Sequence, residues 1–481
     1  LLGSWACQHE APKAHDASSA STTKPSGKNV ADVWRGSSIY FVMTDRFANG
    51  DPRNDDANGY KTDLADASAW HGGDLKGLAE HLDYIRGMGF DAIWITPVIT
   101  QHHEHGYHGY WGYDWFTVDG HLGTMSDLQA LVAQAHQLGM KVMLDTVANH
   151  TGRYDYHTPT FPDADEYHHN GVIRDYSNQW NVENQAINEL NDLDQSNAKT
   201  RKTLLEQVRW LVSNSGVDGL RLDTAKHVPK EFLSEFTSAA GVFVMGEVYH
   251  GDPRYTADYT HHLSSVLDYP MYYTVKEVFG HGASMRELHD RYALDDLYVN
   301  AQTNGVFIDN HDQPRFLCDA AGSEADKQAR LKLALTFLFT GRGIPILYYG
   351  TEQSFHGCTD PANREDMFHS FDRTSSLYAL VTALNRARAH NAALRTGNQH
   401  ELFVSDNVYA FERQQSDEAA LVILNNSPEP QTVELAGIAG FAESSPLIDE
   451  VTGAASNVLV SNGSARVTVG ARQGLVLGKR R

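Results

Sequence analysis

The 481-residue sequence is poor in positive charge, poor in cysteine and free of long apolar runs. Its 39 lysines and arginines face 61 aspartates and glutamates, for a net charge of −22. Phosphate backbones and anionic membrane surfaces attract basic patches, so nucleic acid is excluded as a partner; a neutral substrate such as a sugar polymer meets no repulsion. No stretch reaches the roughly 18–20 apolar residues that a membrane helix needs, which excludes a helical membrane span. Three cysteines make no disulfide framework; Cys318 and Cys358 either pair across two loops in an oxidising compartment or stay free. The Gly-rich dinucleotide fingerprint is also missing, which argues against an open doubly wound sheet.

The chain begins LLGSWAC, an apolar stretch with small residues near its end. That is the pattern of a signal-peptide tail, with Cys7 a candidate lipid anchor although Ser4 stands where that signal prefers Leu. Residues 8 to about 30 are rich in Ala, Ser, Thr, Lys and His without periodicity and read as a linker. A secreted or periplasmic protein is expected.

From Ser38 one unit recurs: a short apolar run, a loop, an amphipathic helix, a glycine, then the next run. The runs are 38–44, 92–97, 141–147, 219–223, 243–248, 264–269, 305–310 and 344–350. Between them Leu78, Leu82 and Ile85, then Leu128, Leu131, Val132 and Ala135, then Leu204, Leu205, Val208, Leu211 and Val212 fall at helical spacing. Continuous apolar runs alternating with helices predict an α/β protein with a parallel sheet covered by helices. Eight units over about 350 residues predict a TIM (β/α)8 barrel, with its active site where the strands end. About 50 residues rich in His, Asn, Asp and Tyr separate the third run from the helix near Thr200, too many for a plain connection, and predict a small inserted domain. After about His390, LFVSDNVYAF, ALVILNN and ARVTVGA alternate as strands do and predict a C-terminal antiparallel β-sandwich. The expected division is 1–30 for signal remnant and linker, 31–150 with 197–390 for the barrel, 151–196 for the insert and 391–481 for the sandwich.

Polar residues stand at the ends of the predicted strands. In GLRLDTAKH, Arg221 and Asp223 are two apart and share a strand face, so the guanidinium is expected to lower the carboxyl's pKa. In FVMGEV, Glu247 follows Val244 and Met245 and precedes Val248, and an apolar setting is expected to raise its pKa. FIDNHD supplies His311 and Asp312. Two carboxylates tuned apart are what glycoside hydrolysis requires, one to protonate the leaving oxygen and one to meet the oxocarbenium carbon.

At these positions the sequence resembles the α-amylase family, glycoside hydrolase family 13. The resemblance rests on DTVANH (145–150), GLRLDTAKH (219–227), GEVY (246–249) and FIDNHD (307–312), flanked by GFDAIWITPV (89–98) and LNDLDQ (190–195). Asn191 departs from the usual proline and leaves Asp192 in place. The match implies a retaining α-amylase acting on internal α-1,4 bonds of starch, glycogen and maltooligosaccharides. Asp223 would be the nucleophile, Glu247 the acid/base and Asp312 the transition-state stabiliser, with Arg221 holding Asp223. His150 and His311 would bind the sugar nearest the cut, Tyr110 in HGYHGYW would stack on it beside Trp111, and Lys226 and His227 would border the next sugar. Asp360 and Arg364 in TDPANRE would meet more distant glucose units.

The same resemblance implies calcium, which takes six to eight oxygen ligands. One site, making the insert a calcium-binding domain, would use Asn149, Asp192 and the carbonyl of His227, with a further ligand from around Gln179–Glu183. A second would use Asn49, Asp51, Asn54, Asp55, the carbonyl of Gly72, and Asp74. Other readings are a maltooligosaccharide-forming exo-amylase, a cyclomaltodextrinase or a transglycosylase; the Lys226–His227 pair and the lack of further modules after the sandwich favour hydrolysis. A zinc hydrolase built on His102, His103 and His105 lacks a helical HExxH, and a non-catalytic binding relative would have lost a carboxylate. A monomer is expected.

Overall fold

The computed structural model describes residues 30–444 and 446–479; the signal remnant, Cys7 and the linker lie outside the described residues. All eight apolar runs contribute strands, at Ile39–Val42, Ala92–Ile95, Lys141–Thr146, Gly219–Leu222, Phe243–Gly246, Ser265–Val266, Gly305–Val306 and Ile344–Tyr348. They are called the first to eighth strands below. They form one parallel sheet in barrel order, with the first strand paired to both the second and the eighth. The sheet closes through a parallel bridge from Leu267 to Gly305, where the Asp268 N–H donates to the Gly305 carbonyl at 2.8 Å. Gly305 lets Met245 and Ile346 pack close at this seam, because a Cβ there would come within 2.7 Å of Met245 Sδ and Ile346 Cδ1 and push their side chains aside.

The strands are buried along almost their whole length, since helices cover the outside and side chains fill the barrel. The expected helical faces point inward: Leu78, Leu82, Ile85, Leu128, Leu131, Ala135, Leu204 and Val208 are buried. Leu205 and Val212 pack only partly against this core. The first face differs from a single helix: Leu75–Glu80 and Leu82–Gly87 meet at His81, whose φ of −112° and ψ of 9° break the spiral without turning the face outward. Thr124 starts the helix Met125–Gln137 through a capping box with Asp127.

Two irregular excursions rise over the strand ends. After the second strand, Ile99–Gln101 pairs antiparallel with Gly112–Val118. After the third come residues 151–196, in which Phe161 and Tyr167 join the barrel's core and Ile173 and Val182 are also buried, tied to the barrel by His150–Thr151 pairing with Asn191–Asp192. Beyond the helix Ser376–His390 and the short helix Ala392–Thr396 come two antiparallel sheets, one of five strands and one of two. Leu421, Ile423, Leu435, Val467 and Leu477 fill the space between them. On the five-stranded sheet, Tyr409, Phe411, Val422 and Val476 belong instead to the core shared with the barrel.

Cys318 and Cys358 are paired, with Cα atoms 5.3 Å apart. The bridge joins the segment after Asp312 to the loop that carries Asp360 and Arg364.

Candidate active site

The site is built where the third, fourth, fifth and seventh strands end. Arg221 lies in the fourth strand, in parallel register with Asp145 of the third and Met245 of the fifth. Adjacent strands stand about 4.8 Å apart, so a long side chain at this level reaches both neighbours. Arg221 Nη1 lies 3.0 Å from Asp145 Oδ1 and 2.9 Å from Asp223 Oδ1, and Nη2 lies 3.0 Å from Glu247 Oε2. One fully buried guanidinium therefore holds three carboxylates from three strands.

Each carboxylate has further partners. Asp145 accepts from Tyr110 Oη at 2.7 Å and from Trp94 Nε1 at 3.1 Å, and burial foremost pushes its carboxyl up to about 6 in spite of Arg221. Asp223 Oδ2 accepts from Thr224 Oγ1 at 3.0 Å. Glu247 accepts from Tyr269 Oη at Oε1 and from the Thr224 N–H at Oε2, both at 3.0 Å. Asp312 is the most exposed of the set; Arg364 lies 3.3 Å from its Oδ1 and His311 Nε2 lies 3.3 Å from its Oδ2.

One electrostatic expectation and one about packing are corrected. The Asp223 carboxyl is held above its ordinary value, because burial and the nearby Glu247, Asp145 and Asp312 outweigh the lowering by Arg221. Glu247 does not sit in an apolar pocket: Val244, Met245 and Val248 turn into the packed core, two donors bond the carboxyl and the Arg221 guanidinium lies in ion-pair contact with it. The sequence places hydrophobic residues next to Glu247 along the chain, while alternation and the strand end aim them elsewhere.

A cleft of about 800 Å³ opens above these groups. Asp223, Glu247, Asp312, Tyr110, Trp111, His150, Lys226, His227, His311, Asp360 and Arg364 all line it, and Arg221 lies beneath its floor. Burial lowers His150 to about 3 and His227 to about 4, and drives His311 down as well, so the three imidazoles are neutral near pH 7. His150 Nε2 and His311 Nδ1 are buried without a protein partner. Neutral rings with unused nitrogens suit the hydroxyls of an uncharged sugar. Tyr110 stacks on His311 with centroids 5.3 Å apart and an interplanar angle of 16°. Arg364 pairs with Asp360 at 3.0 Å and donates to Tyr107 Oη at 2.9 Å.

Asp145, Thr224, Tyr269 and Tyr107 were not singled out from sequence. Asp145 and Tyr269 do stand at the ends of apolar runs, and that position was the signal available for them. Tyr249, the last residue of GEVY, also lines the cleft, as do Tyr176 and Tyr273 from segments that carry no such mark.

Of the expected calcium ligands, Asn149 and Asp192 are both buried, and Asn149 Oδ1 has no hydrogen-bond partner. His227 donates from Nδ1 to the Val182 carbonyl at 3.0 Å, which brings the helix Gln179–Asn184 against the same residue. In the other cluster a Cβ on Gly72 would come within 2.9 Å of Asn49 Nδ2 and Asp55 Oδ1, and Asn54 Oδ1 is a buried oxygen without a partner. Asp74 accepts from the amides of Gly50, Asp51 and Gly77, and the Asp51 carboxylate turns outward onto Arg53. Among the described residues, no three or more His, Cys, Asp or Glu gather as metal ligands; His102 stacks on Tyr113 with centroids 4.7 Å apart, and the rings of His103 and His105 lie 5.4 Å apart.

The profile of the α-amylase catalytic domain matches residues 41–415. The β/α-amylase of Paenibacillus polymyxa is 47% identical over 451 residues, which cover 92% of this chain and 37% of that longer protein. α-Amylase 2 of Schwanniomyces occidentalis is 35% identical over 438 residues, covering 85% of this chain and 84% of the yeast protein. Among solved structures, an Anoxybacillus α-amylase superposes with a TM-score of 0.85 at 37% identity, over 93% of this chain and 99% of the other.

Proposed function

Since the chain belongs to the α-amylase family of glycoside hydrolases, we propose that it is a secreted or periplasmic α-amylase that hydrolyses internal α-1,4-glucosidic bonds with retention. The observation that carries this reading is the single guanidinium of Arg221 touching Asp145, Asp223 and Glu247 on the floor of a cleft lined by neutral histidines and aromatic rings. The Cys318–Cys358 bridge fits an oxidising compartment.

In this mechanism an Asp223 oxygen attacks the anomeric carbon while Glu247 gives its proton to the departing glycosidic oxygen. The carbon–oxygen bond to the leaving chain breaks and an ester to Asp223 forms. Water then attacks the same carbon, Glu247 takes its proton, and the ester breaks to return Asp223. Asp312 faces the positive charge that develops on the ring. Neutral His150 and His311 take hydroxyls of the sugar at the cut, Tyr110 lies against its ring, and Lys226 and His227 border the leaving side. Asp360 and Arg364 extend the opposite side. Digestion of soluble starch checks this reading, with products followed by chromatography and the first-formed anomer by NMR. A fast viscosity drop with mixed α-maltooligosaccharides is expected. First-formed β-anomers overturn retention, and a single early product or cyclic sugars move the chain to an exo-acting or transferring enzyme.

Calcium would be held by Asn149, Asp192 and the His227 carbonyl, and at a second position by Asn49, Asn54, Asp55, Asp74 and the Gly72 carbonyl, with Asp51 swinging in from Arg53. At the first position it would supply positive charge that ties the insert to the barrel, and at the second it would join the barrel segments 49–55 and 72–74. A ligand held at 100–1,000 times its Kd adds about 3–4 kcal/mol of native-state stability. Excess chelator is therefore expected to lower the melting temperature by several degrees, and an unchanged transition rejects both sites.

A further inference from the structure

Thr224 follows the residue taken as nucleophile and, like the buried Arg221 beneath it, contacts both catalytic carboxylates. Its φ is 45° and its ψ 34°. A β-branched residue in the left-handed region is a true outlier, costing about 1–3 kcal/mol, and such strain persists only where the surroundings over-determine it. Here the conformation has two visible effects. It turns the Thr224 N–H onto Glu247 Oε2 at 3.0 Å, and it leaves the side-chain hydroxyl 3.0 Å from Asp223 Oδ2. The other Asp223 oxygen, Oδ1, is held by Arg221 at 2.9 Å. Thus each Asp223 oxygen has a different keeper, and residue 224 joins the attacking group to the proton donor across the fourth and fifth strands.

We propose that Thr224 is a positioning residue for the reaction, its hydroxyl orienting Asp223 and keeping it ionised while its amide orients Glu247. This rests on Asp223 being the nucleophile. An ionised carboxylate only accepts hydrogen bonds, so a donor at Oδ2 favours the charged, attacking form. That support is needed because the groups facing Asp223 mostly oppose its charge. Burial foremost, then Glu247 from the fifth strand, Asp145 from the third and Asp312 after the seventh raise its pKa, against the lowering by Arg221. Tyr110 faces the same group as a neutral phenol. A glycine at position 224 would adopt this backbone without strain but could not supply the hydroxyl.

The test compares Thr224→Val, Thr224→Ser and Asp223→Asn in kcat, KM and the pH profile of kcat/KM on a defined maltooligosaccharide. Valine keeps the shape and the β-branch and removes only the donor. T224V is expected to lower kcat about tenfold, the worth of a hydrogen bond to a charged group, and to move the acid limb of the profile upward by about half to one pH unit. KM is expected to stay within about twofold, and T224S to recover most of kcat and the original limb, because serine restores the donor. If T224V does not fold, T224A carries the same expectations without the added apolar atom. Wild-type kcat and acid limb in T224V or T224A overturn the proposal. So does a T224S as impaired as T224V, which would assign the loss to the backbone, and so does a rise in KM alone, which would make Thr224 a substrate contact. An active D223N rejects the nucleophile assignment itself, whereas an inactive D223N beside a normal T224V rejects only the role of Thr224.

Discussion

Asp223→Asn is expected to lower kcat on starch by roughly four orders of magnitude or more, since a removed nucleophile has no substitute among groups acting as one unit. The variant should nevertheless melt no lower than the native protein. Asp223 is buried, and Glu247, Asp145 and Asp312 all disfavour its charge. A carboxyl whose folded pKa is raised weakens the fold at every pH above its unfolded value near 3.9. A neutral amide of the same shape relieves that penalty, and Arg221 keeps Asp145 and Glu247 as counter-ions. Lost activity with an unchanged or raised melting temperature places the fault in the chemistry. Lost activity with a clearly lower melting temperature would instead make Asp223 a structural partner of Arg221.

Asp268→Asn is expected to cost about 3–5 kcal/mol of stability, as the breaking of a buried ion pair does. Asp268 follows the sixth strand, is fully buried, and receives Arg291 at 3.0 Å and Arg342 at 2.5 Å. It also caps the helix Tyr269–Val275 by accepting from the Met271 N–H at 3.0 Å. Burial alone would raise its pKa, but the two guanidiniums win and hold it well below the usual carboxylate range. With a depressed folded pKa, its contribution is complete above the unfolded value near 3.9 and is lost as the pH falls toward the folded value. Denaturant midpoints should therefore show a large gap between native protein and variant at pH 7 that narrows below about pH 4. A gap independent of pH would mean that packing or capping, not charge, carries the effect. Tyr269 touches Glu247 directly, so the variant should lose activity as well.

Much of this molecule is legible along the chain. Eight continuous apolar runs specify buried parallel strands, because only a strand covered on both faces is apolar throughout, and the intervening helices keep their inward residues at helical spacing. Asp223, Glu247 and Asp312 are legible too, as ionisable groups placed where those runs end. The break at His81 and the hairpin of Ile99–Gln101 with Gly112–Val118 were not, since neither alters the local pattern of burial enough to declare itself.

What the sequence by itself determined is therefore the order of elements and the stations of the chemical groups, since burial and spacing are written residue by residue. The tertiary structure alone decided their electrostatics and pairings. Arg221 meets Asp145 and Glu247 only because parallel register sets three strands side by side at one level. Cys318, in the short helix Phe316–Asp319, finds Cys358 only when two segments beyond strand ends converge. Asp223 is pushed up, not down, because burial and three carboxylates gathered from other strands outweigh the one arginine nearby in sequence. The reason is the same in each case: a pKa or a bond depends on distance in space, and closure of the barrel makes neighbours of residues that the chain keeps far apart.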